Sequence, residues 1–116
     1  MKSANGIPFS YILALFENGE YVDETNFWFN GEPKGDMHYL GYLPNVDPNK
    51  PYWAGYCDIE GGFECATAKE LFDAPYYNRK SLKDRWSEVN INEIGLISIE
   101  QFIEWYNNEF PIDSYE

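Results

Sequence analysis

The apolar residues in the first half of the chain occur in short, aromatic-rich runs bounded by Gly, Pro and Asn, which is the pattern of β-strands joined by turns. Runs of this kind cover residues 26–30, 37–43 and 52–59. Gly61-Gly62 then predicts a turn that returns the chain into a further strand at residues 63–66. The first half is therefore predicted to form an antiparallel β-meander of about four to six strands.

Residues 8–17 are compatible with two different elements. Apolar side chains recur there with helical spacing, at Phe9, Ile12, Leu13 and Phe16. Gly19 would end such a helix, because glycine readily adopts the left-handed conformation of a helix C-terminus. The dipeptide Asn18-Gly19 is equally typical of a tight hairpin turn, which would join strands at 11–17 and 20–23. The sequence leaves helix and hairpin open.

In the second half the signals become helical. Thr67-Ala-Lys-Glu70 and Ser98-Ile-Glu-Gln101 are capping boxes, in which the hydroxyl and the carboxylate or amide satisfy free backbone N–H groups at a helix start. The first box predicts a short helix that ends before Pro75. The second predicts a final helix, whose apolar stripe consists of Ile99, Phe102, Ile103 and Tyr106.

Two further signals complete the second half. Ser81 is a candidate cap for another short helix, and Ile91 alternates with asparagines in one predicted strand at 90–97. Strands followed by helices predict an α+β fold, in which the two to three short helices and the one strand of the second half pack on one face of the sheet. The chain is expected to be a single globular domain over residues 1–116, with residues 1–6 flexible.

The net charge indicates which class of molecule this protein is expected to bind. The formal charge is −12, which in a chain poor in aromatic residues would predict disorder. Here 19% of the residues are aromatic, enough to order a compact core. A folded body with this potential repels nucleic-acid phosphates and anionic membranes and attracts basic protein surfaces. We therefore predict a basic protein partner and no direct binding to nucleic acid or membrane.

The expected compartment is the cytoplasm. No apolar run approaches the roughly 20 residues that span a bilayer, and the N-terminus lacks the apolar segment of a secretory signal. Cys57 and Cys65 are then expected to be reduced thiols. They flank Gly61-Gly62, so a bridge across a hairpin is sterically possible.

The sequence contains no recognisable catalytic, cofactor-binding or metal-binding motif, and we predict a non-enzymatic protein. His38 is the only histidine, which excludes sites built on two imidazoles, and we expect it to lie beside tyrosine on a sheet face. One cluster of cations stands out, and on so acidic a protein we expect its members to offset neighbouring carboxylates. They are Arg79, Lys80, Lys83 and Arg85.

Two acidic stretches are the candidate partner-binding sites. Glu100 and Glu104 are spaced i, i+4 on the predicted last helix, opposite its apolar stripe. Trp105, Glu109 and Asp113 follow among further aromatic residues, and aromatic anchors among carboxylates suit docking on a basic surface. The second stretch is the acidic hairpin around Gly61-Gly62, which carries Asp58, Glu60 and Glu64.

In size, acidity and aromatic content the chain resembles the immunity proteins of bacterial toxin systems and the phage or mobile-element proteins that mimic DNA to block host defences. The resemblance covers this general profile only, because no family motif is present. It implies an inhibitor that occludes the basic surface of a nuclease or another nucleic-acid-handling protein. Two alternatives remain: an adaptor subunit of a larger assembly, or a small-ligand or carbohydrate-binding domain that uses the hairpin at residues 58–64.

Overall fold

The N-terminal apolar segment folds as a helix, α1 (Phe9–Asn18), in the computed structural model, which describes residues 1–55 and 62–115. One face of α1 is buried through side chains three and four residues apart, which are Tyr11, Ile12, Leu15 and Phe16. Gly19 ends the helix at φ 74°, and its N–H donates to the Leu15 carbonyl at 3.0 Å. Of the two readings that the sequence left open, the helix is the correct one.

Six strands form one antiparallel sheet in the order β4-β3-β2-β1-β5-β6. They are β1 (Thr25–Phe29), β2 (His38–Tyr42), β3 (Tyr52–Gly55), β4 (Phe63–Cys65), β5 (Val89–Ile94) and β6 (Ile97–Ser98). The first four are neighbours in chain order, which confirms the predicted meander and the α+β class. The part of the predicted third strand beyond residue 55 lies outside the described residues.

The predicted single strand at 90–97 is a hairpin, so the second half contributes two strands rather than one. Its turn is formed by Gly95 and Leu96, which both have positive φ angles, 59° and 65°. Positive φ angles at two successive residues are typical of a tight hairpin turn. The sequence does not indicate this turn, because Leu96 stands where such turns usually have glycine. Glycine is required at 95, because a Cβ there would lie 2.1 Å from the carbonyl oxygen of Tyr21.

Both capping boxes begin the predicted helices, α2 (Ala68–Asp73) and α3 (Ile99–Tyr106). The hydroxyls of Thr67 and Ser98 accept from backbone N–H groups three residues ahead, at 3.1 and 3.3 Å. Ser81 caps a turn in the same way, at 3.0 Å, but only a 3-10 helix (Trp86–Glu88) follows. No helix in the described part of the chain has the length and apolar character needed to cross a bilayer.

The hydrophobic core lies between the helices and one face of the sheet. Its side chains come from all three α-helices, from strands β1 to β5 and from the 3-10 helix, and some of them line a small apolar space. The lining includes Ile12, Phe27, Leu40, Phe72, Trp86 and Val89. The core face of β1 carries Thr25, Phe27 and Phe29, while Asn26 and Trp28 point to the opposite face.

The sequence predicts that residues 1–6 are flexible. In the structure, residues of this segment form hydrogen bonds with β5. The Ala4 N–H donates to the Val89 carbonyl at 2.7 Å. The Asn5 side chain donates to the Ile91 carbonyl at 2.8 Å and accepts from the Ile91 N–H at 3.3 Å. An Asn side chain that pairs with both backbone groups of one residue imitates a neighbouring strand, and local composition gives no sign of it.

Candidate protein-interaction surface

The last helix presents the acidic face that the sequence predicts. Ile99 and Phe102 are buried against the sheet, while Glu100 and Glu104 are exposed. Trp105 is on the same helix with 60% of its surface exposed, about 100° around the helix axis from Glu104 and about 140° from Glu100. A single exposed aromatic ring is ordinary, but an exposed ring on the same helix as exposed carboxylates has the composition of an interface anchor. We call these three residues, Glu100, Glu104 and Trp105, the α3 face.

Glu109 and Asp113 do not continue the α3 face but occupy two other places. Glu109 follows the helix and lies near Tyr21, and its carboxylate is the foremost cause of the raised pKa of that phenol. Asp113 belongs to a 3-10 helix (Ile112–Tyr115) that packs on α1. There Tyr115 contacts Tyr11 edge to face at 5.4 Å, and its carbonyl accepts from the Ser10 hydroxyl.

The structure also places the acidic segment at residues 19–24 near the C-terminal end of α3. Tyr21 stacks on Tyr106 with ring centroids 4.4 Å apart and meets Phe110 edge to face at 6.0 Å. Glu20 and Asp23 are exposed on either side of Tyr21. The sequence shows these acids, but only the stacking of Tyr21 on the C-terminal aromatics brings Glu20 and Glu109 to the same tyrosine.

Glu64, the acid of the predicted acidic hairpin that the structure describes, does not join the α3 face. Asp58 and Glu60 lie outside the described residues. Glu64 is exposed on β4, one edge of the sheet, whereas α3 packs on β5 and β6 at the other edge. Five strand spacings separate those edges, about 24 Å. Glu64 therefore cannot form one continuous patch with the α3 face.

His38 lies on a sheet face beside a tyrosine, as predicted: its ring meets that of Tyr77 edge to face with centroids 6.1 Å apart, and its side chain is buried on the core side of the sheet. Its Nε2 is 2.8 Å from Oε1 of Glu32, and its ring stacks on Phe27 with centroids 5.1 Å apart. The same carboxylate oxygen accepts from the Phe29 N–H at 2.9 Å. Glu32 thus fixes both the imidazole and the end of β1, a structural role that the sequence did not reveal.

One member of the basic cluster, Arg85, pairs with a neighbouring carboxylate as predicted. The Arg85 guanidinium pairs with Glu88 at 3.3 Å and lies 3.6 Å from the centroid of the Phe29 ring. Lys83 lies 5.8 Å from the ring centroid of Phe9. Arg79 and Lys80 are exposed.

Cys65 is a free, buried thiol, and burial raises its pKa to about 11. Its Sγ donates to the Thr67 carbonyl at 3.4 Å. A thiol that stays protonated at neutral pH is a poor nucleophile. Within residues 1–55 and 62–115, no group of three or more His, Cys, Asp or Glu side chains is placed to hold a metal ion.

No match to this chain is found among known protein families, curated proteins or solved structures.

Proposed function

We propose that this protein is a small, acidic, non-enzymatic inhibitor that binds and blocks a basic-surfaced nuclease or another nucleic-acid-handling protein. The observation that carries the proposal is the α3 face, where exposed Trp105 accompanies the exposed carboxylates of Glu100 and Glu104. No Lys or Arg follows Arg85 in the chain, so no basic residue of this segment offsets these charges.

The two kinds of side chain have different roles in such a complex. Carboxylates steer a cationic surface into encounter and suppress wrong partners, so they act mainly on the association rate. An aromatic ring that enters a pocket of the partner supplies affinity and slows dissociation. On a helix whose other side is fixed by buried Phe102, both groups are held in place before binding. A rigid acidic surface of this kind competes with nucleic acid for a basic groove, which is how a DNA mimic blocks its target.

A charge-reversal variant tests the proposal. The triple variant Glu100→Lys, Glu104→Lys, Asp113→Lys is expected to bind the partner about 100-fold more weakly or worse, because attraction becomes repulsion at each position. The control is Asp36→Lys, Glu70→Lys, Asp73→Lys, which makes the same charge change at exposed positions outside the predicted site. Equal binding by the two variants would show that only net charge matters and would reject the α3 face together with Asp113 as the contact site.

The partner itself is found by affinity capture from host lysate at low salt, with elution by a salt gradient and identification by mass spectrometry. We expect stoichiometric recovery of one basic nuclease or nucleic-acid-handling protein. Its activity should then fall linearly with added protein and vanish at a 1:1 ratio. Full activity at a tenfold excess of this protein would contradict inhibition, even where binding is seen.

One observation favours a second candidate function, carbohydrate binding. Trp28, Tyr39 and Trp53 lie on three adjacent strands and share the sheet face opposite the core. Trp53 also pairs across strands with exposed Glu64. Flat aromatic faces with a nearby carboxylate suit the stacking and hydrogen bonding of sugars. Titration with soluble polysaccharides, followed by tryptophan fluorescence, distinguishes this function from the first.

A further inference from the structure

Three connecting segments meet at the end of the sheet where β1 begins. The antiparallel order places there residues 19–24, the β2–β3 loop at 43–51 and the β5–β6 turn. The Tyr42 N–H donates to the Val22 carbonyl, and the Leu96 N–H donates to the Glu24 carbonyl, both at 3.1 Å. Residues 19–24 are thus held between the β2–β3 loop and the β5–β6 turn.

This end of the sheet collects exposed apolar side chains that are far apart in the sequence. Each segment supplies at least one of them: Tyr21 (37% exposed), Leu43 (39%), Val46 (77%) and Leu96 (59%). Single exposed apolar residues are ordinary, but four on adjoining segments form a patch of the kind that marks an interaction site. We call these four residues the strand-end patch.

Carboxylates lie on the Tyr21 side of the strand-end patch. Glu20 and Asp23 are exposed on the segment that carries Tyr21. Glu109 is close enough to raise the pKa of the Tyr21 phenol, and Tyr106 stacks on the same ring. Tyr106 belongs to α3, so Tyr21 of the strand-end patch contacts the same helix that carries the α3 face. An apolar centre with a charged rim is the usual anatomy of a protein interface.

The backbone of two residues in the strand-end patch is already fixed before a partner binds. Tyr21 and Leu96 both have left-handed backbone conformations, with φ angles of 64° and 65°. Hydrogen bonds and the close approach of Gly95 to the Tyr21 carbonyl hold these two residues in place. Side chains ordered before binding lose less conformational entropy when a partner docks.

We propose that the strand-end patch is the apolar centre of the docking site whose acidic side is the α3 face. Its occupant is a basic protein segment in which aliphatic or aromatic side chains alternate with Lys and Arg. The rim of Glu20, Asp23 and Glu109 selects the positive charge, and the patch selects the apolar side chains. This inference rests on the proposed function for the basic character of the partner, and it adds the specificity that charge alone lacks.

Peptide display on the folded full-length protein tests the inference. A phage library of random 12-residue peptides is selected at low salt, and the strongest binders are synthesised and titrated by fluorescence anisotropy. We expect enriched peptides that combine Lys or Arg with aliphatic or aromatic residues. The double variant Val46→Asn, Leu96→Asn should weaken their binding by about tenfold or more. Asparagine suits this test because it tolerates the left-handed backbone of position 96.

The matched control is Tyr76→Asn, which removes an exposed apolar side chain outside the strand-end patch and should change binding less than about twofold. Basic peptides that bind the double variant as well as the natural protein would overturn the inference and leave the proposed function standing. Peptides without enrichment in Lys and Arg would contradict the proposed function and the inference together. Melting temperatures of both variants confirm that each is folded.

Discussion

At the residue scale, two buried tyrosines show that the effect of a buried hydroxyl on stability depends on whether it has a hydrogen-bond partner. Tyr52 donates to the Phe16 carbonyl at 2.6 Å, which links β3 to α1. Within the described residues, the Tyr11 hydroxyl is buried and has no hydrogen-bond partner. Burial raises the pKa of Tyr11 to about 12, with a smaller effect from Tyr115. A paired hydroxyl stabilises the fold, whereas an unpaired one loses its hydration without compensation.

Substitution of these tyrosines by phenylalanine should therefore have opposite effects at neutral pH. Tyr52→Phe is expected to lower the free energy of unfolding by about 1 kcal/mol, and Tyr11→Phe to raise it by about the same amount. Urea denaturation monitored by circular dichroism measures both. A loss of stability in Tyr11→Phe equal to that in Tyr52→Phe would show that the Tyr11 hydroxyl does have a partner.

The pH dependence follows from the same residues. Because the folded state keeps Tyr11 protonated up to a pKa of about 12, while an unfolded tyrosine titrates near 10, unfolding releases a proton in this window. Stability should therefore fall as pH rises from about 10 to 12, and Tyr11→Phe should make that fall smaller. Cys65, with a pKa of about 11 against 9.0, adds a loss of the same sign that starts nearer pH 9.

At the element scale, α3 shows the division between a packing face and a free face. Capping and periodicity predicted both, since Ser98 begins the helix and the apolar residues recur every three or four positions. The helix α1 was equally periodic, but its Asn-Gly end also fitted a hairpin. Whether this segment forms a helix or a hairpin depends on whether its apolar side chains pack on another part of the protein. The local sequence does not contain that information.

Alanine substitutions on the two faces of α3 should separate stability from binding. Phe102→Ala is expected to cost about 3–5 kcal/mol, because the ring is fully buried and its removal leaves a cavity. Trp105→Ala should change stability by less than about 0.5 kcal/mol, because the ring is mostly exposed, yet weaken partner binding. Denaturant titration gives the first quantity, and the affinity for the captured partner gives the second. A large loss of stability in Trp105→Ala would assign that ring to the core.

At the scale of the whole molecule, the charge of −12 both favours a basic partner and opposes compaction through self-repulsion. Screening by salt should therefore raise the melting temperature between about 20 and 300 mM NaCl. The variant Glu100→Lys, Glu104→Lys, Asp113→Lys has a net charge of −6, from −12 plus three changes of two, and should show a smaller rise. A melting temperature independent of salt would mean that the acids are too far apart to repel.

The sequence by itself determined the α+β class, the consecutive meander, the caps of α2 and α3 and the exposed acids of the last helix. Each of these depends on residues within a few positions of one another, where spacing and turn chemistry act directly. Tertiary structure alone decided that α1 is a helix, that residues 90–97 turn back at Gly95, and that His38 is buried against Glu32. It also decided which acids share a surface, because Tyr21 reaches Tyr106 only when the strand order sets residues 19–24 beside the last helix. Contacts between distant segments depend on how complete faces of the helices and the sheet pack together. No local sequence pattern specifies this packing.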